Sequence, residues 1–109
     1  VYSPLAGGWL TGKYRRGEPF PTGSRMTQRP EGYAAFVEEA IFDALEALEA
    51  NAAARGISMA GLALSWLLAE PRLGAIAGGP MRPEHLAPVR EALEHPLDGA
   101  ERAAIGALF

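Results

Sequence analysis

Gly7, Gly12 and Lys13 raise the first question of chemistry in this chain. They lie in the stretch LAGGWLTGKY, residues 5–14, at the spacing of a phosphate-binding P-loop: a glycine, four residues, a second glycine, then lysine. A P-loop next needs Ser or Thr to hold magnesium, and then a helix. Here Tyr14 stands at the hydroxyl position, and a loop rich in arginine and proline follows. Two other readings remain. One is an ordinary glycine-rich turn after a strand. The other is a phosphate-holding turn of a different kind. Pro4 and the glycines would let backbone N–H groups approach a pyrophosphate, and Lys13 would add a flexible point charge. Tyr2, at the end of the strand, could stack its face on a flat ring.

These residues need elements to hold them. Residues 1–5 read as a strand end broken by Pro4. Residues 15–32 carry three prolines, three glycines and no apolar period, so they form a long loop, a kind that is often functional. A helix is expected over 33–54, with Val37, Ile41, Leu45, Leu48 and Ala52 on one stripe. Gly56 closes it, with Arg55 at its negative end. Ser58 caps the next helix, 59–70, which is apolar nearly all round and calls for neighbours on several sides. Pro71 stops that helix. Residues 73–78, LGAIAG, have the look of a short buried parallel strand. A further helix lies within 83–95, opened by Pro83, and it either kinks or begins at Pro88. Asp98 and Glu101 are spaced as a capping box for a last helix. Strands separated by helical stretches indicate parallel β/α architecture, although most of a sheet is missing.

Composition narrows the function classes. At 109 residues the chain is one domain at most, and its 49% hydrophobic content is that of a folding chain. A net charge of −3 gives no electrostatic case for a nucleic-acid partner. There is no cysteine, hence no disulfide and no thiolate metal site. His85 and His95 have no ligand-like spacing, so no metal is expected. No apolar run reaches the ~20 residues of a membrane span, and no export signal opens the chain, so a cytoplasmic protein is the default. The first residue is Val1, which points to a fragment.

The segment YSPLAGGWLTGKY, residues 2–14, resembles the stretch after the seventh barrel strand of the aldo-keto reductases, NADP-dependent (β/α)8 carbonyl reductases, in the bacterial branch similar to potassium-channel β-subunits. GSRM, residues 23–26, resembles the family's loop arginine, and ISMAGLALSWLLAEP, residues 57–71, its seventh helix. AIAGGPMRPEHL, residues 75–86, resembles the eighth strand and its turn, and LDGAERAAI the closing helix. The resemblance runs in order through nearly the whole chain. It implies the C-terminal quarter of a TIM barrel, mostly helical as an isolated chain. Residues 1–109 would be a partial aldo-keto reductase domain, from the end of strand 7 through the closing helix.

By the same resemblance Tyr2 stacks on the nicotinamide, and Ser3, Pro4, Leu5 and Ala6 line the pyrophosphate. Lys13 and Arg25 lie on the loop that folds over it, and Gly79 ends the eighth strand near the adenosine phosphate. There are departures. Met81 stands where the family has Ser or Arg facing the 2′-phosphate, with Arg82 adjacent as a substitute. His85 stands where the family often has Gln. The Glu-Asn pair that grips adenine is replaced by Pro88-Val89, whose side chains have no hydrogen-bonding group. The family's catalytic Asp, Tyr, Lys and His have no counterparts here. The resemblance therefore implies part of an NADP-dependent (or NAD-dependent) oxidoreductase for aldehydes and ketones. The chain would contribute the cofactor-binding end, need the missing N-terminal barrel portion, and be inactive alone. The alternatives are a non-enzymatic truncated remnant or helical interaction module and, more remotely, a nucleic-acid binder through Lys13, Arg15 and Arg16.

Overall fold

The computed structural model describes residues 3–77 and 83–109. Five α-helices are present among them: α1 (Arg25–Gln28), α2 (Glu39–Ala54), α3 (Met59–Leu68), α4 (Ala87–Glu94) and α5 (Gly99–Gly106). Short 3-10 turns lie at Ala6–Thr11, Ala34–Phe36 and Pro83–Leu86.

The helix ends follow the local chemistry of the sequence. At the end of α2, Ala54 is the last helical residue, Arg55 caps it and Gly56 takes φ +72°. The Gly56 N–H donates to the Ala53 carbonyl and the Ile57 N–H to that of Ala52, which satisfies two carbonyls the helix leaves open. Ser58 caps α3, its hydroxyl accepting from the Gly61 N–H at 3.0 Å. Asp98 and Glu101 form the expected reciprocal box at α5, each accepting from the other's backbone N–H. Pro88 falls in the first turn of α4, so the helix begins there and does not kink.

Three expectations are corrected. The helix expected over 33–54 starts at Glu39. Tyr33 and Phe36 instead sit on a 3-10 turn with their rings 5.6 Å apart, and Val37, placed on the buried stripe, is 50% exposed. Aromatic packing takes the chain off the helical path at this point. Phe42 and Ala44 join Leu45, Leu48 and Ala52 in the core, while Ile41 is half-buried. Second, the strand expected over 73–78 is not formed: residues 73–77 are irregular, and residue 78 lies outside the described set. A strand is stable only when its backbone groups pair with a neighbour, and there is no strand among the described residues to supply one. The described residues are helical, as expected of the isolated chain, and the strand part of the α/β pattern is not formed among them. Third, the loop over 15–32 is not structureless, since it holds α1.

The apolar helix α3 finds its cover within the chain. It packs against α2, α4, α5 and the turn Ala6–Thr11, and every residue from Met59 to Ser65 is buried. Its far end is less covered, with Leu68 48% exposed. Close approach of α4 depends on Gly61, where an added Cβ would lie 3.0 Å from the Glu91 Cβ. The same Glu91 accepts from the Ser58 hydroxyl at 2.5 Å, so one carboxylate ties the α3 cap to α4. On the other side, the Trp66 indole N–H donates to the Arg102 carbonyl of α5 at 2.9 Å. The Arg102 guanidinium lies 4.3 Å from the Trp66 ring centroid and pairs with Glu70 at 2.9 Å.

Candidate functional site

The glycine turn is built from left-handed backbone. Gly7, Gly8 and Gly12 have φ of +66°, +100° and +86°, and Ser3 and Ala6, which carry side chains, both have φ +50°. The turn folds on itself: the Ala6 N–H donates to the Ser3 carbonyl, and those of Gly8 and Leu10 to the Leu5 carbonyl. The Thr11 hydroxyl closes it by donating to the Gly8 carbonyl at 2.6 Å. These three backbone donors, expected to face an anion, are committed inside the turn. An incoming anion would meet the side chains of Ser3, Lys13 and Arg25, all of which are exposed.

Lys13 lies on the turn itself, whereas Arg25 is linked to it through Tyr33. Lys13 folds back along Gly8, where a Cβ would lie 3.2 Å from the Lys13 Cε and 3.3 Å from its Nζ. Arg25 arrives through Tyr33: its guanidinium lies 5.9 Å from the Tyr33 ring centroid, and the edge of that ring lies against Gly7. A Cβ on Gly7 would come within 2.8 Å of the ring. The absence of a side chain at Gly7 and Gly8 thus makes room for Tyr33 and Lys13 respectively.

Below the turn lies an aromatic cluster. Trp9, 1% exposed, has the rings of Tyr14, Phe36 and Phe42 around it with centroids at 4.8, 5.8 and 5.8 Å. Tyr14, at the position where a P-loop has its hydroxyl residue, is 3% exposed, and its oxygen accepts from the Met26 N–H at 3.2 Å. That bond holds α1, and with it the start of the Arg25 side chain. Buried in this way, Tyr14 is not a magnesium ligand, and the P-loop reading is set aside. Trp9 and Tyr33 are site-building residues that the sequence analysis did not single out, and Tyr14 was noted there only at the hydroxyl position; aromatic residues near a glycine turn were the signal available.

The neighbouring cations are engaged elsewhere. Arg15 makes a two-pronged pair with Glu49 at 2.6 and 3.0 Å, and Arg16 pairs with Glu39, Asp43 and Glu46. The Arg15 contact holds the Glu49 carboxyl below its ordinary pKa by hydrogen bonding. These pairs fasten the loop to α2 and fill the side of a cleft of about 220 Å³ with matched charge. A second cleft, about 260 Å³ and lined by Leu10, Ala63, Trp66, Leu67, Ile105 and Phe109 among others, is apolar.

Pro4, Leu5 and Ala6 are half-buried in the turn. His85 is exposed on the turn Pro83–Leu86, which packs on α4, so it belongs to a different element from Lys13 and Arg25. Tyr2, Gly79 and Arg82 lie outside the described residues. Pro88 and Val89 occupy the first turn of α4, and Val89 is 43% exposed. Among the described residues no cluster of His, Cys, Asp or Glu could hold a metal, and no helix is long and apolar enough to cross a membrane.

The model of the aldo/keto reductase family matches residues 1–108, and the chain belongs to that family. It is 39% identical over 90 residues, 79% of this chain, to an L-glyceraldehyde 3-phosphate reductase of Escherichia coli. It is 30% identical over 98 residues, 86% of this chain, to a probable voltage-gated potassium channel subunit beta of Oryza sativa subsp. japonica. The matched regions are 25% and 29% of those proteins, so the chain spans about a quarter of the length of these relatives.

Proposed function

We propose that this chain is the cofactor-binding end of an NADP-dependent aldehyde or ketone reductase whose catalytic groups lie in other parts of a complete (β/α)8 barrel. The observation that carries this reading is Lys13 lying along Gly8 of the left-handed turn, with Arg25 beside Tyr33, the ring that rests on Gly7. Exposed cations on and next to such a turn suit a dianionic pyrophosphate. When bound, the cofactor would supply the hydride; by the family resemblance Tyr2 would stack on its nicotinamide, Ser3 to Ala6 would line its phosphates, and Lys13 and Arg25 would neutralise them. Gly79, Arg82 and His85 would serve the adenosine side. The fit is poorer there, because neither Pro88 nor Val89 offers adenine a donor or an acceptor. NAD in place of NADP remains compatible with that side.

By the family resemblance the proton donor to the carbonyl oxygen belongs to the rest of the barrel, so on this reading the chain is inactive by itself and works joined to that portion, in the cytoplasm. A small-molecule carbonyl compound is the substrate, and neither nucleic acid nor membrane is a partner. A second reading, a non-enzymatic remnant or helical interaction module, draws on the apolar cleft between α3 and α5.

The test is fluorescence titration with NADPH together with an assay on 4-nitrobenzaldehyde. NADPH binds and no turnover exceeds the buffer control. Lys13→Ala weakens binding about tenfold, the size of one charge-assisted contact. Equal affinity of Lys13→Ala and Arg25→Ala with the parent chain would remove the phosphate site, and turnover that survives repurification would overturn the assignment of catalysis to the rest of the barrel.

A further inference from the structure

Tyr33 has no role in the proposed site as the sequence presents it. Its place in the structure gives it one. One edge of its ring lies against Gly7, and the Arg25 guanidinium stands over the ring. A third contact, with Phe36 at 5.6 Å between centroids, continues to Trp9, since Phe36 and Trp9 are 5.8 Å apart. The ring is therefore fixed from the core side and offers its π surface to a cation that is otherwise exposed. Arg25 and Tyr33 lie eight positions apart, on either side of Arg29, Pro30 and Gly32. A contact between them helps to close this end of the loop toward the turn. The other tie, from Tyr14 to the Met26 N–H, fixes the backbone of α1 but leaves the arginine side chain free to swing.

We infer that Tyr33 is a positioning residue that holds Arg25 over the glycine turn, so that the guanidinium is already in place for the cofactor's phosphates. The inference rests on the proposed cofactor site and adds a residue to it. An arginine held in its bound position loses less rotamer freedom when the anion arrives, so the ring raises affinity without touching the ligand.

Two measurements test it, on the parent chain, Tyr33→Leu and Tyr33→Phe. The first needs no ligand. Trypsin cuts after Arg25 only when that side chain leaves the ring. Tyr33→Leu should speed this cut roughly two- to five-fold, the worth of one exposed cation–π contact, and Tyr33→Phe should restore the parent rate. The cut after Arg16, whose side chain is held by Asp43 and Glu46, should not change. Acceleration at both sites would mean general loosening and would overturn the inference, as would an unchanged rate after Arg25. The second is NADPH titration. Tyr33→Leu should bind two- to five-fold more weakly, with no further loss when added to Arg25→Ala. If the parent chain binds and Tyr33→Leu binds equally well, the inference fails while the cofactor site stands. If the parent chain does not bind NADPH, the cofactor site fails and takes the positioning role with it, whatever trypsin shows.

Discussion

Replacing Gly7 by alanine tests the glycine turn and its aromatic cover together. The backbone there has φ +66°, a region that disfavours a Cβ by about 1–2 kcal/mol. The new methyl would also lie 2.8 Å from both Cε2 and Cζ of Tyr33. A ring backed by Phe36 cannot simply swing aside, so an overpacking penalty of about 1–3 kcal/mol is added. The two effects sum to about 2–5 kcal/mol, a large share of the roughly 5–15 kcal/mol that holds a domain together. Gly23→Ala is the matched control, because its φ of +81° is similar and nothing lies within 4 Å of an added Cβ. It should lose only the backbone part. Urea denaturation of both variants, and of Gly7→Ala combined with Tyr33→Leu, separates the contributions. The expected order is Gly7→Ala well below Gly23→Ala, with the gap closing when Tyr33 is shortened. Equal losses in Gly7→Ala and Gly23→Ala would show that Tyr33 does not rest on the turn.

Tyr14→Phe removes the hydroxyl that accepts from Met26 and keeps the ring stack on Trp9; it should lower stability by about 0.5–1.5 kcal/mol, read by denaturant titration. Ser58→Ala deletes the α3 cap and its tie to Glu91, with an expected loss of about 0.5–2 kcal/mol, and Ser58→Asp should fall below Ser58→Thr because it faces that carboxylate. Hydrogen bonds from Arg55, and then from the Asp98 backbone, hold the Glu101 carboxyl below its ordinary pKa. A folded value below the unfolded one means that the contribution is full at neutral pH and is lost as pH falls through the acid range. Melting curves from pH 7 to pH 3 should therefore drop more steeply for the parent chain than for Glu101→Gln. Pro88→Glu with Val89→Asn, made in a complete barrel, would return two hydrogen-bonding side chains to adenine. NADPH affinity should rise roughly tenfold, and unchanged or weaker binding would mean that the two residues are an adaptation.

The sequence by itself determined the features that depend on a few neighbouring residues. Ser58, the Asp98–Glu101 pair, Gly56 after Arg55 and Pro88 all set helix ends where their chemistry says they should, because a cap satisfies backbone groups within one turn of itself. The left-handed turn at Gly7, Gly8 and Gly12 was legible for the same reason. What only the tertiary structure decided is whatever needs a distant partner. LGAIAG carries the pattern of a buried strand, but residues 73–77 stay irregular, because a strand's hydrogen bonds belong to its neighbour and not to itself. Val37 fits a helical stripe, but packing of its neighbour Phe36 on Trp9 drew this stretch into a separate turn. Tyr14 read as a failed magnesium ligand until its ring was found under the loop, with its oxygen on the Met26 N–H twelve residues away. Tyr33 carried no signal at all in sequence. Its role is a contact with Gly7 across 26 positions of chain, and only folding brings those two residues together.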